Sequence, residues 1–364
     1  MKKVMILANN DVGLYKFRKE LIEVLLNEYE VHIVLPDGNF VKDLVEMGCI
    51  FHPTEFRRRG MNPISDLMLM KAYKSLIRQT KPDAVLTYTI KPNIYGGIAC
   101  AALKVPYLVN ITGLGTAVEN NGLLSVITTV LYRYALRKAA MVFFQNEANL
   151  LFMKQRKIVK DRYDLLPGSG VNLKQYQAMP YPNGDHIDFI FVARVMKEKG
   201  IDQYLDAAEY LTKKYPYTRF HICGNCDGDY EELLCEKNRA GIVTYHGAIK
   251  DMLPIYEMCS CTIHPTYYPE GMSNVLLESC ASARPIITTD RPGCKEIIDN
   301  GVNGFICQAQ NSQDLIEKIE RFLEMTHAER EEMGNNARKK VEREFNREIV
   351  IKKYMTELEK HGRV

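Results

Sequence analysis

Two carboxylates, Glu270 and Glu278, stand eight positions apart in the stretch YYPEGMSNVLLES, with Gly271, Ser273 and Asn274 between them and an apolar run that reads as helical. Ser273 or Asn274 can cap that helix, whose free backbone N–H groups and dipole favour an anion at its start. A phosphate fits there. Glu278, well inside the helix, would repel that phosphate but can accept hydrogen bonds from hydroxyls of a sugar lying beyond it. Glu270, on the preceding loop, reaches a group on the phosphate's other side. The pattern suits a nucleotide sugar, with ribose at Glu278, diphosphate at the helix start and the sugar to be transferred at Glu270. Alone, an E-x7-E is an ordinary pair of solvated carboxylates, and its company in the chain gives it weight.

That company begins in FVARVMKEKG, where Arg194 and Lys199 follow a strand and can pair with the diphosphate, offsetting charge that develops on a leaving group. VTYHGAIKD ends another strand in a turn where a base can lie against Ile249, with Asp251 nearby. LANNDVGLY ends the first strand in a loop whose Gly13 would let backbone approach a phosphate closely. No glycine fingerprint of a nicotinamide dehydrogenase follows any strand.

Two further spacings invite chemistry and lack its context. Cys223-x-x-Cys226 would need its first Cys to open a helix to act as a redox pair, yet Cys223 reads as the last residue of a strand, and no second CxxC completes a zinc site. Asp227-x-Asp229 precedes a helix and reads as a capping turn, so no metal is expected.

The elements that must position these groups alternate between short β-rich runs and amphipathic helical stretches, the pattern of parallel sheets covered by helices on both faces. In the first half the strand candidates are KVMILAN, VHIVLP, DAVLTYT, PYLVNIT and MVFFQN, with a helical stripe at Phe17, Leu21, Val24 and Leu25. The stretch from Asp164 to Asp188, rich in Pro, Gly, Asn and Asp, reads as a linker. The series resumes with DFIFVAR, RFHICG, VTYHG, CTIHPT, PIITTD and GFICQ, then a charged helical tail with Phe322, Met325, Met333, Val341, Phe345, Ile349 and Tyr354 as anchors. The fold class is α/β: two doubly wound Rossmann-like domains facing each other across a cleft, where open α/β sheets bind ligands. The expected division is 1–168, 187–345, and a closing helix over 346–364 that crosses back to the first domain.

Size agrees with two cores, since 364 residues at 46% hydrophobic content exceed what one core holds. The apolar run Val4 to Ala8 is too short for a secretory signal, and nowhere do ~18 uncharged apolar residues follow one another. Ten scattered cysteines in a chain this long read as reduced thiols in the cytoplasm. The net charge of +3 hides an asymmetry: residues 1–180 carry 24 Lys+Arg against 15 Asp+Glu, and the rest 24 against 30. A basic half suggests anionic partners, either phosphates, acidic lipid or nucleic acid. Nucleic acid is disfavoured by the lack of a zinc finger, an RNP-like run or a basic aromatic stripe.

The chain resembles the retaining glycosyltransferases of family 4, of GT-B architecture. ARVMKEKG, ICGNCDG, YHGAIKDM, PEGMSNVLLESCASARPIITTDRPGCKEII and NGVNGFIC carry the likeness in the second half. FRRRGMNP, YTIKPNIYGGIA, NITGLGTA and NEANL carry it in the first, where they are similar to bacterial capsule, O-antigen and lipid-linked oligosaccharide enzymes, lipid-linked N-acetylgalactosaminyltransferases among them. The resemblance implies that Arg194 and Lys199 bind the donor diphosphate, Glu278 the ribose and Glu270 the donor sugar near its 3-hydroxyl. Backbone from Gly271, Met272, Ser273, Asn274 and Val275 would meet phosphate and sugar, with Ile249 beside the base and Gly13 beside the diphosphate. Many members carry a His after the strand that matches PYLVNIT; here Thr112 stands there, followed by Gly113.

The family implies retention at the anomeric carbon, a UDP-linked sugar as co-substrate and no separate cofactor or metal. The acceptor, a prenyl-pyrophosphate-linked glycan, would meet the basic first half, where Thr112 and Gly113 stand on its side and Arg57, Arg58, Arg59, Lys91, Arg133, Arg137 and Lys138 offer a surface for a prenyl-pyrophosphate head group and anionic lipid. That places the protein in the cytoplasm, peripheral on the inner face of the membrane. A UDP-sugar 2-epimerase, which shares the architecture and acts on the donor alone, is the alternative.

Overall fold

A computed structural model describes residues 1–55, 62–114, 122–226 and 228–361. It divides the chain into two compact units, one of Met1–Ser169 with Glu348–Val364, the other of Gly170–Arg347.

The first unit is built on seven parallel strands, β1 (Lys2–Leu7), β2 (Tyr29–Leu35), β3 (Ile50–Pro53), β4 (Ala84–Tyr88), β5 (Tyr107–Ile111), β6 (Met141–Phe144) and β7 (Tyr163–Leu165), in the order β3-β2-β1-β4-β5-β6-β7. Central strands are buried on both faces, so β1 and β4 carry continuous apolar runs, Val4 to Leu7 and Ala84 to Leu86, rather than alternating ones. The two strands that the sequence pattern does not reveal, β3 and β7, are the sheet's edges: IFHP and YDL are short, partly exposed and poor in the apolar continuity that marks a buried strand. The first helix, Asp11–Leu26, begins well before Phe17, because Asn10 caps it by accepting from the Gly13 N–H at 2.6 Å.

The closing helix, Arg347–His361, docks on this same sheet through Val350, Tyr354 and Leu358. The Asn110 amide donates to the Tyr354 hydroxyl at 2.6 Å, and the Tyr354 ring lies 4.8 Å from that of Phe143. Ile349 is only half-buried; Val350, one position on, takes the anchoring place because it falls on the same helix face as Tyr354.

The second unit has six parallel strands, β8 (Ile187–Val192), β9 (Thr218–Cys223), β10 (Thr244–Gly247), β11 (Cys261–His264), β12 (Ile286–Thr289) and β13 (Gly304–Cys307), in the order β10-β9-β8-β11-β12-β13. Gly170 to His186, which reads as linker, is part of this unit. Arg284, wholly buried, holds part of it in place by donating to the carbonyls of Met179 at 3.1 Å and Pro180 at 2.8 Å.

Each unit also carries a carboxylate–His–His chain across neighbouring strands. In the first, His32 lies 2.8 Å from Glu30 and 2.9 Å from His52; in the second, His221 lies 2.9 Å from Asp188 and 3.0 Å from His246. Burial, and then the charge of the neighbouring ring, lowers the pKa of His52 and of His246 below 6.5. A histidine held neutral in the fold binds a proton more readily once unfolded. Its contribution is therefore whole above about pH 6.5 and is lost as pH falls below that value. Replacing both His52 and His246 by Gln should flatten the fall of Tm between pH 7 and about 5, measured against the parent; an unchanged slope would mean that the two rings do not titrate on unfolding.

Candidate active site

Strand order reverses in the second unit between β8 and β11, and the loops leaving the carboxyl ends of these two neighbours flank the point where open α/β sheets bind ligands. Arg194 lies on the loop after β8 and Lys199 closes a single 3₁₀ turn, Lys197–Lys199. Glu270 lies on the loop after β11. The two loops are tied together, since the Glu198 carbonyl accepts from the Tyr267 N–H at 2.9 Å and from the Thr266 hydroxyl at 3.2 Å. Gly200 permits this approach with φ of +80°, and a Cβ there would collide with the Pro265 carbonyl. Buried hydroxyls of β12 brace the second loop from behind: Thr288 donates to the His264 carbonyl at 2.8 Å and Thr289 to the Thr266 carbonyl at 2.6 Å.

Lys199 and Glu270 meet there as a hydrogen-bonded ion pair, with the ammonium also 4.8 Å from the centre of the Tyr268 ring. Burial would raise the Glu270 carboxyl, but His264 and Lys199 outweigh it and hold the pKa at about 2. A carboxyl held that low is ionised near neutral pH, where it accepts hydrogen bonds. His264, 2% exposed, faces it with Nε2 3.9 Å from the carboxylate. Burial lowers the His264 pKa, opposed by Glu270 and assisted by Lys199, and among the described residues neither ring nitrogen has a hydrogen-bond partner.

The helix Asn274–Ala281 starts beside this cluster. Ser273 occupies its N-cap without a side-chain capping bond, which differs from the expected cap: its own N–H is drawn to the Gly293 carbonyl at 2.8 Å, and the residue is buried. Gly293, with φ of +88°, sits so close beneath the loop that a Cβ would come within 2.8 Å of the Gly271 carbonyl oxygen. An uncapped first turn leaves its N–H groups and dipole for an anion, and the buried Asn274 Oδ1 there has no partner among the described residues. Met272 points the other way, into the core with Leu276 and Leu277, so only its backbone is placed for a ligand. Asn274 and Val275 are partly exposed.

Glu278 is the fifth residue of this eight-residue helix, about one turn in, roughly 6 Å from its start. Its Oε2 accepts from the Tyr256 hydroxyl at 3.3 Å. Burial, then Glu278, raises the pKa of Tyr176, which marks a second tyrosine close to the carboxylate. Ile249 follows β10 partly exposed, and Asp251 is exposed, its Oδ1 accepting from the Leu253 N–H at 3.1 Å.

In the first unit the expected residues part company. Gly13 is not in a loop; it is the third residue of the first helix and its N–H is taken by Asn10. Lys91 is no open cation, since it pairs with Asp66 at 2.8 Å, both side chains largely buried, while Tyr95 donates to the same carboxylate at 3.0 Å. Thr112 and Gly113 follow β5 and are partly exposed. Arg57, Arg58 and Arg59 lie outside the described residues. Asp227 does too, so the capping turn expected of Asp227-x-Asp229 falls in part outside them; the helix Glu231–Arg239 that follows has Tyr230 at its N-cap with no side-chain bond. Cys223 ends β9, buried, its thiol pushed up to about 11, as an unreactive core residue. Among the described residues no three His, Cys, Asp or Glu side chains gather to hold a metal ion, and no helix is long and apolar enough to cross a membrane.

Sequence reasoning misses His264, Tyr176 and Tyr256. His264 leaves a signal, a polar residue inside the buried strand CTIH. In the first unit Thr89 follows β4 with φ of +71°, costly for a β-branched residue, just before a rare π-helical turn, Pro92–Gly96.

Other proteins resemble this chain in sequence and in fold. The family model described as "Glycosyl transferases group 1" matches residues 177–340, and that described as "Glycosyl transferase 4-like" matches 3–146. N,N'-diacetylbacillosaminyl-diphospho-undecaprenol alpha-1,3-N-acetylgalactosaminyltransferase of Campylobacter jejuni is 26% identical over 88% of this chain and 89% of its own. The capsular polysaccharide biosynthesis glycosyltransferase CapM of Staphylococcus aureus is 24% identical over 88% and 87%. Among solved structures, Anabaena HepE, crystallised with UDP and glucose, superposes with a TM-score of 0.80 at 17% identity over 99% of this chain and all of that one. Sucrose-phosphate synthase of Thermosynechococcus elongatus gives 0.79 at 17% over 99% and 98%. The fold is that of the GT-B glycosyltransferases, and the chain belongs to the family-4-like glycosyltransferases.

Proposed function

We propose that this glycosyltransferase moves a hexose or N-acetylhexosamine from a UDP-sugar to a prenyl-pyrophosphate-linked glycan at a membrane surface, with retention of the anomeric configuration and without a metal. The observation that carries the reading is the pairing of Lys199 with Glu270 beside an uncapped helix start, with Glu278 one turn further on. The diphosphate would lie against that first turn, bringing a second anion within reach of Lys199 and of Arg194. Glu278, steadied by Tyr256, would accept the ribose hydroxyls. Glu270, ionised throughout, would accept from hydroxyls of the transferred sugar and stabilise positive charge as its ring takes on oxocarbenium character.

In the step itself the acceptor hydroxyl attacks the anomeric carbon on the face from which UDP departs. The bond from that carbon to the phosphate oxygen breaks with its electron pair going to the diphosphate, whose oxygen takes the acceptor's proton. Arg194, Lys199 and the helix start hold the charge so formed. The Campylobacter relative, a transferase to a diphospho-undecaprenol-linked sugar, and the Staphylococcus relative, a capsular polysaccharide enzyme, support a lipid-linked or capsular acceptor, and HepE, crystallised with UDP, supports UDP.

Calorimetric titration with UDP tests the donor half: Glu278→Ala should weaken binding by about ten- to a hundredfold, the worth of a lost hydrogen bond to a charged group. Undiminished UDP affinity would remove Glu278 from the ribose. NMR of the product formed on a prenyl-pyrophosphate-linked acceptor tests the other half, with an inverted anomeric centre as the refuting result.

A further inference from the structure

Of the three buried histidines among the described residues, His32 and His221, 5% and 7% exposed, have both ring nitrogens engaged at 2.8 to 3.0 Å by a carboxylate and a second imidazole. His264, 2% exposed, has neither engaged, and its Nε2 lies 3.9 Å from the Glu270 carboxylate, beyond hydrogen-bond distance. An unpaired polar ring is costly to bury where an apolar side chain is not, so packing alone does not account for a histidine here. We propose that His264 is a positioning residue, whose Nε2–H takes hold of Glu270 when the donor's diphosphate draws Lys199 away. This rests on the reading of Glu270 and Lys199 above and adds what keeps the carboxylate in place during the reaction.

The ring is placed for that part. His264 ends β11 on the same face as Thr262, whose hydroxyl accepts from Ser279 of the helix Asn274–Ala281 at 2.8 Å. Imidazole and helix therefore share one side of the sheet. The backbone is fixed there by the ladder pairing of His264 with Thr288 and by the Thr288 hydroxyl on the His264 carbonyl. Only the side chains need to shift, and an approach of about 1 Å makes the bond.

Lys199 and His264 converge on one oxygen, Oε1 of Glu270. Without a donor the lysine holds it. Once a diphosphate lies at the first turn of the helix, the ammonium has a second anion to serve, and the buried carboxylate loses part of its counter-charge. An imidazole with its one proton on Nε2 supplies the missing bond without a further positive charge for the diphosphate to attract. Burial lowers the His264 pKa, so the ring is neutral near neutral pH. The other titratable group acting against this carboxylate is Cys294, from the segment after β12, whose thiol burial and then the Glu270 charge keep protonated.

UDP serves as the first probe, with NMR of the full chain carrying isotopically labelled histidine. On saturation with UDP the His264 ring N–H, assigned by its absence in His264→Gln, should move downfield and exchange more slowly with water. Lys199→Met should give the same signal with no nucleotide added, since departure of the lysine is what frees the carboxylate. With a UDP-N-acetylhexosamine as donor, His264→Met should keep its affinity for UDP and lose about ten- to a hundredfold in kcat. Removing a donor to the anion raises the Glu270 pKa, so this variant should also gain an acid limb of kcat that the parent lacks and that adding Glu270→Gln abolishes. Gln at 264, whose amide reaches the place of Nε2, should restore most of the rate, while the shorter Asn should not. UDP bound with no change at His264, or kcat and UDP affinity falling together in His264→Met, would overturn the proposal and leave the part of Glu270 standing. Normal turnover of Glu270→Gln alone would instead remove the reading on which the proposal rests.

Discussion

Glu270→Gln should keep its affinity for UDP and lose about a hundredfold or more in kcat, the scale on which an electrostatic group aimed at developing charge acts. Gln is isosteric with Glu and still offers a carbonyl to a sugar hydroxyl, so only the charge and one acceptor are removed. That charge is costly to place: burial opposes it, and Lys199 and His264 must outweigh burial to hold the pKa at about 2. A carboxylate kept ionised by a buried ammonium is arranged to face positive charge. Because its pKa lies so low, the acid limb of kcat should not report Glu270 anywhere between about pH 4 and 8; the folded-state pKa is depressed, so the charge is fully present above the ordinary carboxylate range and fades only as pH falls toward 2. A limb near pH 5 that vanishes in the Gln variant would show that Glu270 donates a proton and refute its assigned part. Normal turnover in the variant would do so more simply.

How far the site could be read beforehand depended on whether its signal was local. Arg194, Lys199, Glu270 and Glu278 announce themselves because each sits at a fixed offset from a buried strand or within one helix: β11 is buried throughout and β8 at four of its six positions. What was not legible is the direct contact of Lys199 with Glu270. It spans 71 positions and depends on two loops meeting over Gly200, whose need for φ of +80° leaves only a glycine in the sequence. Lys91 misleads for the same reason. Its position after a strand suggests an exposed cation, while its counter-charge, Asp66, comes from a helix 25 residues earlier. Edge strands β3 and β7 stay hidden because a half-exposed strand of three or four residues has no apolar run to display.

Arg284 makes the same point about the second unit's architecture, and its removal should be the most destabilising single change in that unit. Wholly buried, it donates to the carbonyls of Tyr256 at 2.7 Å, Pro180 at 2.8 Å, Met179 and Glu257 at 3.1 Å, Ser282 at 3.2 Å and Ala283 at 3.3 Å. One guanidinium thereby joins the segment around Met179, the end of the helix Leu253–Met258 and the turn after Ala281. Met fills similar volume but donates nothing, so Arg284→Met leaves several buried carbonyls without partners and should cost about 3–5 kcal/mol. Lys, with three donors and no planar fork, should recover only part. Urea unfolding followed by far-UV CD measures the loss directly. UDP affinity should fall in parallel, because Tyr256, whose hydroxyl supports Glu278, hangs on Arg284 by its own carbonyl. A change within about 1 kcal/mol would mean that the carbonyls find other donors and that the segment is held by packing alone.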